Sequence, residues 1–221
     1  MTVQQPVAAA ALAGVPAGVQ AQGAWAGRRQ LFVRFAGEAE TATMYTAAAL
    51  AREVERQLGR SKFHSVSVGG RDPLANIAFL HAALAAIPGS VPIMLDTDGQ
   101  RPEAIQGMLG RLALVQVTVD FSGFEATIAH AMSTIRTAAT AGCRHAVVVA
   151  PREDTTDAQL LRIVEQASSA SRSVEVVIHP ATPPGDGLTL DRRWSTLLEQ
   201  AVAVHADCRL ALRLPPPAGL R

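Results

Sequence analysis

The sequence predicts an α/β fold, best described as a partial (β/α)6-type, TIM-like barrel, and three observations predict it. From Leu31 onward, short β-branched runs alternate with longer Ala-rich amphipathic stretches, the pattern of repeated strand-crossover-strand units. The short runs are apolar on both parities, as expected of parallel strands covered on both faces. Helix start and stop signals fall where this alternation needs them. Six or seven such units suit a complete or partial β/α barrel. A flat doubly wound sheet is the alternative, because periodicity does not say whether a sheet closes.

The elements follow in order. Strands are expected at Leu31 to Phe35, Ser65 to Val68, Pro92 to Asp96, Leu114 to Asp120, His145 to Ala150, Val174 to His179 and Arg209 to Leu212. Helices are expected between them at Thr46 to Leu58, Leu74 to Ala86, Pro102 to Gly110, Phe124 to Ala141, Asp157 to Ala170 and Arg193 to Val204. Pro102 suits a first helical turn, Thr156 with Gln159 makes a capping box, Asp191 can cap the last helix, and Gly142 sits where a helix should stop. Residues 1–30 read as an N-terminal extension or hairpin, and Ala181 to Gly187 as a loop at a strand end. No internal repeat or second domain is evident, so 1–221 is read as one domain.

Composition narrows the function classes. With 221 residues, 48% hydrophobic and 18% charged, the chain can bury a sizeable core. A formal charge of +1, with basic residues scattered rather than clustered, argues against nucleic acid and anionic membranes as partners. No run reaches the ~20 apolar residues a membrane span requires. Val7 to Val15 is apolar but lacks a positive flank and is broken by Pro16, against a signal peptide. Cys143 and Cys208 stand far apart with no Cys-x-x-Cys pair, so cysteine builds neither a disulfide framework nor a metal site, and a reducing, cytoplasmic setting is expected.

In parallel β/α folds the carboxyl ends of the strands face the site. Polar residues collect there: Gly69-Gly70-Arg71-Asp72 after the second strand, Asp96-Thr97-Asp98-Gly99 after the third, Asp120 after the fourth and His179 after the sixth. Gly69, Gly70, Arg71 and Thr97 are candidate binders of an anionic or nucleotide-like ligand, since glycines let a ligand approach the backbone. Asp96, Asp98, Asp120 and His179 are candidate ligands of a divalent metal. The plainer alternative makes the glycines a tight turn and the aspartates helix caps and turn formers. His64, His81, His130, His145 and His205 fall at strand starts or on helices and read as surface or packed histidines. Ser67 and Cys143 lack the partners of an activated nucleophile.

Several of these stretches resemble the radical S-adenosylmethionine (SAM) superfamily. Gln22 to Gly37 resembles the opening segment of 7-carboxy-7-deazaguanine synthase, in which the equivalent of Ala36-Gly37 precedes the first cluster cysteine. Ser65 to Pro73 resembles the SAM-binding Gly-Gly-Glu-Pro strand end. Leu95 to Gly99 resembles the Thr-Asn-Gly strand end shared with glycyl-radical-enzyme activases. The likeness runs from about Gln20 to Arg213 and implies the partial barrel of that superfamily.

The departures fall on the chemistry. Radical SAM clusters are held by three thiolates spaced Cys-x-x-x-Cys-x-x-Cys, and the corresponding positions here read Glu38, Ala42 and Tyr45. Arg71 replaces the glutamate that holds the SAM amino group, which puts like charges together. Arg213-Leu214-Pro215-Pro216 replaces the family's C-terminal Gln and His-Lys, and Phe121 and Ser122 follow Asp120 where a lysine is usual. The resemblance therefore implies a chain with no 4Fe-4S cluster, an altered SAM site and no radical chemistry of its own. As a partner it implies an authentic radical SAM protein, the peptide or protein substrate of one, or a second copy of this chain, met near Glu38, Ala42 and Tyr45. An enzyme using the Asp/His group and a metal, and a module that binds SAM or a nucleotide, are the alternatives.

Overall fold

The computed structural model describes residues 8–119, 121, 124–180 and 191–212. Its centre is one ten-stranded, mostly parallel sheet. The strands are β1 (Ala9–Gly14), β2 (Ala17–Val19), β3 (Arg29–Phe35), β4 (Thr43–Thr46), β5 (Ser65–Gly70), β6 (Ile93–Thr97), β7 (Leu114–Val119), β8 (His145–Val149), β9 (Glu175–Ile178) and β10 (Cys208–Leu210). Across the sheet the order is β10-β9-β8-β7-β6-β5-β3-β1-β4, with β2 also on β3. From β3 to β10 all pairs are parallel and follow chain order, so there is no reversal of the kind a doubly wound sheet contains. The sheet is open, with β10 and β4 at its two ends.

The helices are α1 (Ala47–Arg60), α2 (Ile77–Ala86), α3 (Phe124–Thr140), α4 (Asp157–Ala170) and α5 (Arg192–Val204). The stretch read as a helix from Pro102 is a 3-10 helix, Pro102–Arg111, with the proline in its first turn as expected. Another short 3-10 turn, Pro73–Asn76, precedes α2. Each helix touches the next in chain order, which places them in a single layer on one face, as crossovers of one hand require. Thr156 and Gln159 form the expected capping box on α4, and Gly142 stands just past α3 in the left-handed region at φ 69°. Asp191 occupies the N-cap of α5 but makes no capping bond; Arg193 instead ties that helix to Asp157 and to the Thr155 carbonyl.

Strand alternation divides the core in two. Leu31, Val33, Val66, Val68, Ile93, Leu95, Val115, Val117, Val147, Val149, Val176 and Ile178 all lie in the large cluster shared with the helices. The intervening residues face the other way: Gln30, Ser65, Ser67, Met94, Asp96, Gln116, Thr118, Ala146 and, past the end of β9, His179. Gln30, Ser65, Ser67, Gln116 and His179 are buried despite being polar.

The N-terminal segment reaches Gln116 and His179 on this face. β1 and β2 form one strand, bulged after Leu12, that runs antiparallel to β3. Within β1, Ala10 and Leu12 are buried and their neighbours Ala9, Ala11 and Ala13 exposed, but a run of alanines shows no such alternation in sequence. The β4 strand is a further addition. The segment running into α1 is extended and pairs Tyr45 with Ala10 before Thr46 caps the helix by accepting from the Ala49 N–H.

Candidate functional site

The connection from β2 to β3, Gln20 to Arg28, folds onto the face of the sheet away from the helices. It is closed on itself by Gln20 N–H to the Arg28 carbonyl and Gly27 N–H to the Gln20 carbonyl, both 2.9 Å. Its tip touches three strands. The Gly23 N–H donates to His179 Nε2 at 2.8 Å, and the adjacent Ala24 N–H donates to Gln116 Oε1 at 3.0 Å. Trp25, 7% exposed, enters a slot made by Met94, Leu114 and Ala146, and its ring meets the His64 ring edge-on at 4.8 Å between centroids. Glycine at 23 is required twice over: φ is 80°, and a Cβ would lie 1.9 Å from Gln116 Oε1.

The side chains that receive this tip form a polar band. Gln30 on β3 donates through Nε2 to Ser65 Oγ on β5 at 2.8 Å, and His64 Nδ1 reaches the same hydroxyl at 2.9 Å. Three buried amide atoms, Gln22 Oε1, Gln30 Oε1 and Gln116 Nε2, have no hydrogen-bond partner. Since His179 Nε2 accepts the hydrogen bond from Gly23, the neutral ring carries its proton on Nδ1. Burial, reinforced by the Arg28 and Arg144 charges, lowers the His64 pKa below the ordinary histidine value.

At the strand ends, the candidate binders are engaged with neighbouring residues. Gly70, at φ 101°, brings the chain against β3: Arg71 N–H donates to the Phe35 carbonyl, and a Cβ on Gly70 would lie 2.4 Å from that oxygen. A Cβ on Gly69 would sit 3.3 Å from the Asp96 carbonyl oxygen. This glycine pair therefore serves backbone packing. Arg71 lies 3.7 Å from Glu38, and the two form an exposed ion pair. Asp72 takes both Nε and Nη2 of Arg101, joining the ends of β5 and β6. Thr97 falls on the helix-facing parity, and its hydroxyl oxygen accepts from the Gly99 N–H at 3.2 Å.

The three proposed metal ligands among the described residues each have a separate partner. Asp96 accepts from the Thr118 hydroxyl at 3.1 Å, Asp98 is exposed and caps the Gln100 N–H at 3.0 Å, and His179 holds the Gly23 N–H. Asp120 lies outside the described residues, as do Ser122, residues 181–190 and residues 213–221. Among the described residues, no three His, Cys, Asp or Glu side chains are grouped to hold a metal ion. Glu38 and Ala42 lie in the exposed turn before β4, and Tyr45 lies within that strand.

Elsewhere the polar residues act as struts. The His145 ring bridges the Cys143 carbonyl and Ser171 Oγ at 2.7 Å each, and His205 Nε2 donates to the Val174 carbonyl at 2.6 Å. Both cysteines are buried and unpaired in the helix-facing core, where desolvation raises the pKa of each, that of Cys208 to about 11. Among the described residues no helix is long and apolar enough to cross a membrane.

Sequence reasoning missed Gly23, Ala24, Trp25, Gln30, Ser65 and Gln116 as members of one site. A polar residue at the centre of an apolar strand, as in Leu114-Val115-Gln116-Val117, was the available signal, since a buried amide needs a partner. The chain matches no protein-family model, and it matches none of the curated proteins with which it was compared.

Proposed function

We propose that this chain is a radical-SAM-like partial β/α barrel without a 4Fe-4S cluster that serves as a non-catalytic partner subunit or binding protein in a biosynthetic or maturation complex. The observation that carries the reading is the self-filled face of the sheet. On the sheet face that would line the inside of such a barrel, this chain seats its own Gly23-Ala24-Trp25 against Gln116, His179 and the slot of Met94, Leu114 and Ala146. The chain-ordered parallel strands with helices in one layer accord with a partial barrel.

The replaced motif positions fit the same reading. Glu38 and Arg71 neutralise each other, and Tyr45 is committed to β4. Neither cysteine offers a thiolate, since both sit in apolar core that disfavours the charged form. His179 Nε2 already accepts from the Gly23 N–H, so a metal on this ring would be held through Nδ1. The partner envisaged is an authentic radical SAM protein or its peptide or protein substrate, met beside Glu38, Ala42 and Tyr45, and the unpaired thiols accord with a cytoplasmic setting.

Two measurements test this. Affinity purification of the tagged chain from its native host should recover a stoichiometric protein partner, and its absence under gentle lysis would count against the proposal. Anaerobic reconstitution with iron and sulfide should give no four-iron absorption, and a cluster bound within the monomer would overturn it.

A further inference from the structure

We infer that the face of the sheet away from the helices is a peptide-recognition groove, that Gly23-Ala24-Trp25 is its resident occupant, and that its partner is an extended peptide carrying glycine, a small residue and an aromatic in that order. This deepens the binding role proposed above and rests on it.

The groove reads main chain. Two consecutive N–H groups, of Gly23 and Ala24, are received by side-chain acceptors from two separate places, His179 just past β9 and Gln116 on β7. At the first position a side chain is excluded, because a Cβ would strike the buried Gln116 amide. Two residues on, an aromatic ring is received by Met94, Leu114 and Ala146 beneath and by His64 at its edge. Two N–H acceptors, a glycine-only step and an aromatic slot together define a linear motif.

The resident segment also uses the groove incompletely. Gln30 and Gln116 have no exposed surface, yet Gln30 Oε1 and Gln116 Nε2 are unpartnered, as is Gln22 Oε1 on the loop itself. Exchanging the two ends of the Gln116 amide does not help, because Oε1 is what accepts the Ala24 N–H. Buried amide atoms left unmade are costly. A peptide lying along the groove brings both the donor for Gln30 and the acceptor for Gln116, which a purely apolar ligand does not. An occupant that satisfies the site therefore carries, beyond the contacts of the resident segment, a donor for Gln30 Oε1 and an acceptor for Gln116 Nε2.

The test uses a fluorescein-labelled synthetic peptide of the Gln20–Arg28 sequence. Against the full chain carrying Trp25→Ala, whose fold is checked by circular dichroism, the peptide should bind, and the same peptide with alanine at its glycine-23 position should not. The unaltered chain should bind at least about tenfold more weakly, because its tethered loop competes at high effective concentration. A second measurement avoids dependence on that variant. In a Trp194→Phe chain Trp25 is the sole tryptophan. Excess peptide with phenylalanine in place of its tryptophan should displace Trp25 and shift its emission to the red. No binding by the folded Trp25→Ala chain together with no red shift would overturn the inference, and so would binding indifferent to the glycine. A chain that met its partner only through the Glu38 to Tyr45 edge would fail here and still co-purify, which separates this inference from the proposed function.

Discussion

The Gly23 backbone N–H donates to His179 Nε2 at 2.8 Å across 156 residues of sequence. That one bond joins the N-terminal hairpin to the far side of the sheet and sets which ring nitrogen of His179 carries the proton. Together with the Ala24–Gln116 bond it converts an irregular connection into the cover of a polar face. Several measurable consequences stem from how tightly the surrounding residues are constrained.

Gly23→Ala should destabilise the chain by about 2 kcal/mol, a fall in Tm of roughly 4–8 °C for a domain of this size. The new methyl must displace the buried Gln116 amide and so breaks its bond to Ala24, while φ 80° disfavours any side chain. Differential scanning calorimetry gives the magnitude. An unchanged Tm would mean that the loop tip does not sit against Gln116.

Gly70→Ala should cost more than Gly69→Ala. At Gly70 the methyl meets backbone, 2.4 Å from the Phe35 carbonyl oxygen, at a φ of 101°; at Gly69 its nearest neighbour is 3.3 Å away. About 3 kcal/mol or more is expected for the first and roughly 1 kcal/mol for the second. Urea denaturation of both variants gives the order, and the reverse order would contradict the packing described for this strand end.

Acid should weaken the fold through His64. Its folded pKa lies below the unfolded value, chiefly through burial, so the unfolded state binds the extra proton more readily. The stability contribution is intact above the ordinary histidine pKa of ~6.5 and is lost progressively as pH falls through and below it. His64→Gln should flatten the dependence of Tm on pH between about 7 and 5. An identical slope in the variant would remove His64 as its source.

Neither cysteine should react in the native state. With the Cys208 pKa raised to about 11 and Cys143 raised as well, both by desolvation, neither forms appreciable thiolate at pH 7.5. Dithionitrobenzoate should release no thionitrobenzoate from the native chain and about two equivalents after unfolding, one for each cysteine in the sequence. Prompt native labelling would place a thiol at the surface.

Much of the architecture was legible in the residues themselves. Every strand expected from Leu31 onward is present, the helices lie between them, and Thr156-Asp157-Ala158-Gln159 forms its capping box, because apolar periodicity and capping chemistry act within a few residues. The candidate site was less legible. The carboxyl ends of the strands were expected to hold the site, yet Gly70, Asp72, Thr97 and Asp98 are occupied with turn packing, an ion pair and short-range hydrogen bonds.

The order of strands and helices was thus determined by local sequence: which residues are apolar, at what spacing, and where a proline, threonine or glycine stops the pattern. The open edge of the sheet, the conversion of an alanine run into β1 and the burial of Gln116 beneath Gly23 and Ala24 were decided only by tertiary structure. Each depends on groups far apart in the chain satisfying one another's hydrogen bonds, and no window of sequence contains both partners.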